Sequence, residues 1–509
     1  MRILYKIANK LFRIVKKILK LLTSRMVIIG VALLLEFCWL AGIMMQLNEK
    51  SVYINYAVTI LSLIAVLSII NNPKMNPGYK LMWAVCILAL PVTGICLYGI
   101  LGHSSVARKF RTHYDTVLLS QGGVLGEEEE TRKKLEEENI LAAGQSSYLT
   151  NYAHYPVYEN TETEYYPLGD VWFEHFIEEL KKAEHYIFME YFIISEGYLW
   201  DTVLEILKEK AAAGVDVRVI YDDFGCVTTL PYQYYKSLQQ MGIKCAAFNQ
   251  FRPVLNVILN NRDHRKIAVI DGHTAFTGGI NLADEYINRK ERFGHWKDSG
   301  ICLHGEAVWS FTVMFLQMWS TITGMECNFE SYRPEIYHEE AFKKDGFVQP
   351  YGDSPLDGET VGEHVYLNII SQAKKYLYIF TPYLIPDNET LTALCMAAKR
   401  GVDVRIVTPG IPDKKIVYIL TQANYEILLE SGVQIYQYTP GFIHSKSFVC
   451  DDEVATVGTI NMDYRSMYLH FECGVWLYRS EAVLQIKEDF LAMLPICQEI
   501  TLEECRNVK

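Results

Sequence analysis

The chain has 509 residues, enough for two or three domain-sized units, and 50% of its residues are hydrophobic, which is ample for large cores. The formal charge is −12, but residues 1–25 carry eight Lys and Arg and no acid, so the remainder holds 40 basic against 60 acidic side chains. Such an acidic body is a poor partner for nucleic acid, because that affinity rests on cationic contacts to phosphates. The 12 cysteines form no C-x-x-C pair and no metal-ligand spacing, so nothing in them indicates a metal site or demands an oxidising compartment.

Residues 1–25 predict a basic amphipathic helix. Apolar residues recur at three- and four-residue steps, and Lys and Arg fill the positions between them. This pattern is typical of a helix that lies in a membrane interface, with its cations on anionic headgroups. The alternative is an ordinary basic flank that holds the N-terminus in the cytoplasm.

Residues 26–103 predict a transmembrane or membrane-associated region. Three apolar runs of spanning length, residues 26–45, 53–70 and 81–101, indicate a multi-pass protein of the cell membrane. Glu36 interrupts the first run at a cost of about 2.5 to 3.5 kcal/mol in mid-membrane, so we expect it to pack against another helix. Pro91 breaks the third run, which we expect to be re-entrant or interfacial. That topology places the rest of the chain in the cytoplasm.

The remaining residues predict a linker and a duplicated α/β unit. Residues 104–165 are charge-rich and indicate a solvated linker or an exposed helix. Strand-like and helix-like segments then alternate twice, over residues 166–330 and 331–509. Short flanks repeat too, since Gly214-Val215-Asp216-Val217-Arg218 returns as Gly401-Val402-Asp403-Val404-Arg405. The alternation predicts a largely parallel sheet in each half, with the two halves meeting edge to edge.

Each half carries one copy of a single motif, and the two copies lie 180 residues apart. A His and a Lys two positions apart in a β-branched, apolar run share one face of a strand, so each copy presents an imidazole and an ammonium together. The first copy is His264-Arg265-Lys266, Asp271 and Gly278-Gly279-Ile280-Asn281, and the second is His444-Ser445-Lys446, Asp451 and Gly458-Thr459-Ile460-Asn461.

The spacing H-x-K-x4-D-x6-G-[GST]-x-N resembles that of the phospholipase D superfamily. The resemblance implies two repeats in a pseudo-twofold α/β sandwich and phosphodiester chemistry through a phosphohistidine, with neither metal nor cofactor. The block around Leu90-Pro91-Val92-Thr93-Gly94 is similar to that of bacterial cardiolipin synthases, which join two phosphatidylglycerols and release glycerol. It implies phosphatidylglycerol and anionic membrane lipids as partners, in a bacterial cell membrane, and the acidic body weighs against the nuclease branch of the superfamily.

The resemblance also implies roles for the site residues. His264 is the expected nucleophile and His444 the general acid, while Lys266, Lys446, Asn281 and Asn461 hold the nonbridging oxygens. A later acid from each half, Asp298 or Glu472, is expected to support the histidine of the opposite half.

The motif aspartates, Asp271 and Asp451, belong to the catalytic motif by resemblance. Asp271 is seven residues from His264, however, which points it to the opposite strand face, and Asp271-Gly272 is a strong hairpin dipeptide. Both aspartates are therefore expected to orient and close the loop.

Three functions remain open on this sequence. A cardiolipin synthase comes first, followed by a phospholipase D-type hydrolase or a phosphatidyltransferase that uses another alcohol. A non-catalytic lipid-binding membrane protein is disfavoured, because the motif is intact in both copies. The sequence indicates no particular oligomeric state.

Overall fold

The computed structural model describes residues 25–44, 49–73, 75–101, 105–120, 123–126, 129–250, 261–338 and 340–507. The chain divides into two compact units, which we term the N-terminal unit (Met1–Arg111 with Arg252–Leu259) and the motif unit (Thr112–Phe251 with Asn260–Lys509). The predicted basic helix over residues 1–25 lies outside the described residues except for Arg25.

The described part of the N-terminal unit is helical, with helices Arg25–Met44, Glu49–Ile70, Pro77–Ala89 and Pro91–Leu101. Over these residues no helix combines the length and the apolar character that crossing a membrane requires, so the multi-pass prediction is not supported. The third predicted run is two short helices, because Pro91 has no N–H to continue the first helix and instead begins the second.

Glu36 packs against another helix of the N-terminal unit, as expected. Its side chain is 3% exposed, and its Oε2 accepts a hydrogen bond from the backbone N–H of Thr93 at 2.7 Å. Thr93 lies in the first turn of the helix Pro91–Leu101, where backbone N–H groups have no partner within the helix. The carboxylate therefore caps that helix.

Nine strands lie within the described residues of the first half of the motif unit. The helix Gly169–Lys182 is amphipathic, and its Trp172, Phe176 and Leu180 face the core. The strands are β1 Thr161–Tyr166, β2 Tyr186–Tyr191, β3 Asp216–Asp222, β4 Lys244–Phe248, β5 Arg262–Asp263, β6 Lys266–Ile270, β7 Thr274–Gly278, β8 His295–Lys297 and β9 Gly300–Gly305. The helices are Gly169–Lys182, Tyr198–Ala212, Tyr234–Gln240, Val308–Thr323 and Pro334–Tyr337, with 3₁₀ turns at Asp284–Ile287 and Phe329–Tyr332.

The second half repeats this order of elements. Its strands are β10 Phe347–Asp353, β11 Tyr376–Phe380, β12 Asp403–Pro409, β13 Gln434–Tyr438, β14 Gly441–Ile443, β15 Ser447–Cys450, β16 Val454–Gly458, β17 His470–Tyr478 and β18 Cys497–Ile500. Its helices are Val361–Gln372, Asn388–Lys399, Lys415–Ala423, Tyr425–Glu430, Tyr464–Tyr468, Glu481–Met493 and Leu502–Asn507, with a 3₁₀ turn at Leu494–Ile496.

Each half builds one mixed sheet. The strand orders are β1-β9-β7-β6-β2-β3-β4 and β10-β17-β16-β15-β11-β12-β13-β18. Within them only β2-β3-β4 and β11-β12-β13 run parallel, so the expectation of a largely parallel sheet was wrong. The physical reason is the hairpin at Asp271-Gly272, which turns β7 back along β6, and its counterpart after Asp451.

The segment expected to be a linker is largely helical. Residues 104–165 contain the helices Ser105–Ser120, Glu129–Glu138 and Ile140–Tyr148, and from Thr112 onward they belong to the motif unit. The helix Glu129–Glu138 carries three i,i+4 ion pairs on its surface, which fits the alternative of an exposed helix. Gln349 of β10 donates a hydrogen bond to the carbonyl of Tyr155 at 2.7 Å, so the end of the segment is tied into the second repeat.

Two short strand pairs join the halves directly. Strand β5 of the first repeat pairs in parallel with the start of β17, and β14 of the second repeat pairs in parallel with β8. The helix Val308–Thr323 is buried along nearly its whole length and contacts strands of both repeats. The two sheets therefore share a core.

Candidate active site

The two motif histidines stand where these joining strands end. His264 follows β5, and its backbone N–H donates to the carbonyl of Phe471 at 2.9 Å. His444 follows β14, and its backbone N–H donates to the carbonyl of Lys297 at 2.6 Å. Each histidine is thus fixed to the backbone of the opposite repeat. Both motifs therefore lie at the boundary between the two repeats.

A carboxylate from the opposite repeat holds each imidazole. Nδ1 of His264 lies 2.9 Å from Oε1 of Glu472, and Nδ1 of His444 lies 2.7 Å from Oδ2 of Asp298. The cross-pairing implied by the resemblance is present. An acid on Nδ1 fixes the tautomer and leaves Nε2 for chemistry.

Both motif lysines are buried beside the histidines. Lys266 and Lys446 are each 1% exposed, and each ammonium donates to the backbone carbonyl of its own motif histidine. Burial lowers the pKa of Lys266 to about 8 and that of Lys446 to about 7, although Glu472 and Asp298 favour the charged forms. An anionic phosphate between the two lysines would stabilise their charge.

The two halves of the site differ electrostatically. Burial lowers the pKa of both histidines, to about 4 for His444 and well below its usual range for His264, and the motif lysines add to the effect. Burial also raises the pKa of Glu472 to about 7. Burial opposes ionisation of Asp298 as well. The interactions with His444 and Lys446 outweigh burial, so the pKa of Asp298 is lowered. Asp298 is therefore the more firmly ionised acid.

The motif glycines serve close packing. A Cβ on Gly278 would lie 2.4 Å from the carbonyl oxygen of Ser299, and one on Gly458 would lie 2.4 Å from that of Cys473. A Cβ on Gly279 would lie 2.0 Å from Oδ1 of Asp298. The second repeat has Thr459 at the position of Gly279, and its hydroxyl donates to Glu472.

The motif asparagines are both buried but bonded differently. Oδ1 of Asn281 accepts from the backbone N–H of Ile193 at 2.9 Å, and its Nδ2 donates to the hydroxyl of Tyr286 at 2.8 Å. Oδ1 of Asn461 has no hydrogen-bond partner among the described residues. The side-chain amide of Asn281 is thus hydrogen-bonded within the fold. Contact of either asparagine with phosphate stays a prediction.

The motif aspartates directly follow strands β6 and β15, where they accept hydrogen bonds from backbone N–H groups. Asp271 accepts three backbone N–H bonds at 2.8 Å from residues 184–186, and Asp451 accepts three at 2.7 to 2.9 Å from residues 374–376. Four residues of β6 separate Asp271 from Lys266, so their Cα atoms lie roughly 16 Å apart along the strand. These contacts correspond to the orienting role and not to contact with phosphate.

Arg265, the middle residue of the first motif, forms a buried ion pair. Arg265 is 3% exposed and lies 2.5 Å from Glu190 of β2 and 3.1 Å from Asp263. Glu190 is itself fully buried, so the guanidinium of Arg265 compensates a charge that burial would otherwise disfavour. The second motif has Ser445 in place of Arg265, where its hydroxyl bonds that of Ser299.

Aromatic side chains line the histidines, and sequence reasoning missed them. The ring of Phe192 lies 5.0 Å from that of His264, while Tyr286, Trp296 and Phe442 lie 5.6 to 5.8 Å from that of His444. The one available signal was the position of Trp296, two residues before Asp298. Such walls limit access of water to the imidazoles.

Comparisons with known proteins identify the family of the two repeats. The family model "Cardiolipin synthase, PLD-like domain" matches residues 176–319 and 366–494, and a phospholipase D-nuclease N-terminal model matches residues 60–103. The chain is 35% identical to a cardiolipin synthase of Halalkalibacterium halodurans, over 85% of this chain and 86% of that protein. It is 34% identical to a cardiolipin synthase of Alkalihalophilus pseudofirmus, over 88% and 89%.

A solved structure shares the fold. Phosphatidylserine synthase of Haemophilus influenzae aligns with a TM-score of 0.53 and 16% identity, covering 71% of this chain and 92% of that one. At this identity the likeness concerns the fold alone. With a family model that spans both repeats and full-length relatives above 30% identity, the chain belongs to the cardiolipin synthase family of phospholipase D-like proteins.

Proposed function

We propose that the protein is a cardiolipin synthase that transfers the phosphatidyl group of one phosphatidylglycerol to a second, giving cardiolipin and glycerol. The observation that carries the proposal is the crossed pairing of His264 with Glu472 and of His444 with Asp298. It supplies two imidazoles whose Nε2 atoms are available, beside two buried lysines for one phosphate. The reaction class is taken from the relatives, which are named cardiolipin synthases, and from the matching family model.

In the first step Nε2 of His264 attacks phosphorus. The bond from phosphorus to the glycerol oxygen breaks, and His444 gives its Nε2 proton to that oxygen as glycerol leaves. Lys266 and Lys446 neutralise the nonbridging oxygens while charge develops on them.

In the second step a hydroxyl of the other phosphatidylglycerol attacks the same phosphorus. Its proton passes to His444, and the bond from phosphorus to His264 breaks. The enzyme returns to its first state, and one phosphodiester has replaced another, so the exchange requires no nucleotide.

The electrostatic difference between the halves supports this order of roles. A nucleophile needs a neutral imidazole, and burial together with the nearby cations lowers the pKa of His264 well below its usual range. A general acid needs to hold a proton, and His444 has the more firmly ionised carboxylate, Asp298, as its partner. Bound phosphate would raise the pKa of both histidines.

We further propose that the N-terminal unit attaches the enzyme to the bacterial cell membrane. Its helices expose large apolar side chains, including Leu34, Phe37, Tyr53, Leu67 and Leu81, each more than 60% accessible. Attachment would keep both lipid substrates at high effective concentration. The cytoplasmic placement of the motif unit stays a prediction of the sequence, as do the boundaries at residues 26, 104, 166 and 331.

The test is product analysis with purified enzyme in phosphatidylglycerol vesicles that contain EDTA and no nucleotide. We expect cardiolipin and free glycerol, and added glycerol should drive the reaction backward. Phosphatidic acid as the main product would favour a hydrolase, and a requirement for another alcohol would favour a different transferase.

The two histidines provide the matched test of a single shared site. His264→Ala and His444→Ala should each abolish turnover, because each repeat supplies one motif histidine and the proposed reaction needs both. Half the activity in either variant would instead indicate two independent sites. A phosphoryl adduct isolated on His264 would establish the order of roles, and one on His444 alone would reverse it.

A further inference from the structure

One helix of the second repeat has its apolar face turned outward. In Lys415–Ala423 the side chains of Ile416, Ile419 and Leu420 are 76%, 63% and 48% exposed, and Ala423 is exposed too. Steps of three and four residues place these four on one stripe. The polar Thr421 is instead buried, and its hydroxyl accepts from the backbone N–H of Leu384 at 3.2 Å. The usual amphipathic pattern of a surface helix is thus inverted.

This helix begins beside the active site. Lys414 directly precedes it, is 64% exposed, and lies 3.5 Å from the hydroxyl of Tyr383. The ring of Tyr383 lies 6.4 Å from that of Phe442, which lies 5.8 Å from that of His444. The charge of Lys414 also contributes to the lowered pKa of His264. The outward stripe and the reacting groups are therefore connected by one short row of side chains.

The first repeat exposes apolar residues at the equivalent place. After β3 the loop presents Val227 and Tyr232, which are 50% and 87% exposed. Strand β3 is the parallel neighbour of β2, whose last residue, Tyr191, pairs with Lys266. Strand β12 is likewise the parallel neighbour of β11. The last residue of β11, Phe380, pairs with Ser447, which is next to Lys446. Both apolar segments therefore leave the sheets at the edge that carries the motif lysines.

We propose that Val227, Tyr232, Ile416, Ile419 and Leu420, which we term the apolar rim, insert into the surface of a bilayer that contains anionic phospholipid. Lys414 and the exposed Lys415 flank the stripe and would meet the headgroups. A lipid could then bring its phosphate to His264 while its acyl chains stay in the bilayer. This inference rests on the proposed function.

Cations beside the stripe favour a lipid surface over a second copy of the chain as the occupant. Insertion would also remove the three exposed aliphatic side chains Ile416, Ile419 and Leu420 from water, which is favourable. A second copy that presented the same stripe would bring a second set of lysines to the contact, whereas anionic headgroups would neutralise Lys414 and Lys415.

The test compares two substrates with the full-length enzyme. One is long-chain phosphatidylglycerol in vesicles, and the other is dihexanoyl phosphatidylglycerol as dissolved monomers. The double variant Ile416→Asp/Ile419→Asp should form cardiolipin from vesicles at least about tenfold more slowly and should keep its rate on the monomeric lipid. An unchanged rate on vesicles, or an equal loss on both substrates, would overturn the proposal.

The matched control is Leu484→Asp. Leu484 is 48% exposed in the helix Glu481–Met493, which follows the far end of β17, roughly 26 Å along the strand from His470. This variant should match the wild type on both substrates, since it adds a charge to an exposed apolar position away from the rim. A vesicle-specific loss in this control as large as that of the rim variant would also contradict the proposal.

Crosslinking tests the rim independently of turnover. The photoreactive residue p-benzoylphenylalanine at position 416 should crosslink to phosphatidylglycerol in vesicles, and the same residue at position 484 should not. Crosslinking only to a second protein chain would identify a dimer contact and overturn the proposal. If the wild type formed no cardiolipin from either substrate, the proposed function would fail, and lipid crosslinking would still decide whether the rim meets the bilayer.

Discussion

Glu472 lies 2.9 Å from Nδ1 of His264, although the two residues are 208 positions apart and belong to different repeats. Asp298 repeats the relationship with His444 in the opposite direction. Neither repeat therefore contains a histidine together with the acid that orients it. The single site of the proposed mechanism follows from this exchange.

Glu472→Gln should lower kcat by about 10²- to 10⁴-fold, the range that general acid–base groups contribute. A neutral amide can neither stabilise an imidazolium nor fix the tautomer of His264 as a carboxylate does. Rates of cardiolipin formation measure the effect, and thermal unfolding controls for folding. Asp298→Asn should behave alike, and a rate within a factor of two of the wild type in either variant would contradict the assigned role.

Gly279→Thr and Thr459→Gly exchange the residues that the two repeats use at one position. The first should abolish activity, because a Cβ at residue 279 would lie 2.0 Å from Asp298. The second removes a buried side chain whose hydroxyl donates to Glu472 and accepts from the backbone N–H of Cys473, but it introduces no clash, so we expect a milder loss of about tenfold, the scale of one hydrogen bond to a charged group. Kinetics on both variants would reveal the asymmetry, and similar losses would argue against it.

Asp271→Ala should lower the free energy of unfolding by about 1.5 to 3 kcal/mol, since three backbone N–H groups lose a charged acceptor. Asp271→Asn keeps one acceptor oxygen and tolerates the left-handed φ of 48°, so its loss should be smaller. Denaturant unfolding measures both variants. The kcat of the folded protein should stay within about twofold, whereas a selective loss of kcat would restore a catalytic role for this aspartate.

His470→Asn should reduce the acid sensitivity of the fold. Burial, followed by the charge of His264, lowers the pKa of His470 from 6.5 to about 3. Between these values the unfolded chain binds a proton that the folded chain excludes, so stability is full above pH 6.5 and falls as the pH decreases. From pH 7 to 5 the wild type should lose about 2 kcal/mol more than the variant. If His470 titrated normally, unfolding curves at the two pH values would show equal losses of stability for the wild type and the variant.

The paired motif made much of the site predictable from sequence. Its two copies and their family resemblance placed His264, His444 and the acids Asp298 and Glu472 in one site, and the structure brings these four together. The hairpin dipeptide at Asp271-Gly272 likewise predicted the turn between β6 and β7. Local spacing and turn chemistry are encoded within a few residues, which is why they could be identified.

Properties that depend on distant packing were not predictable. Alternating strands and helices do not distinguish a parallel sheet from the mixed sheets observed, because direction depends on which strands pair. The charge-rich helix Glu129–Glu138 gave no sign that Leu135 on its inner face is fully buried. The aromatic wall of Phe192, Tyr286 and Phe442 comes from three separate loops and strands, so no spacing marked it.

The joining strands β5 and β14 also constrain when the enzyme can become active. Because the protein is synthesised from its N-terminus, His264 is made before Glu472 and before β17, the strand with which β5 pairs. Contacts so distant in sequence form late and slowly in folding. A nascent or truncated chain that ends before Glu472 would hold His264 without its acid, and so would not carry out phosphatidyl transfer until that part of the second repeat is made.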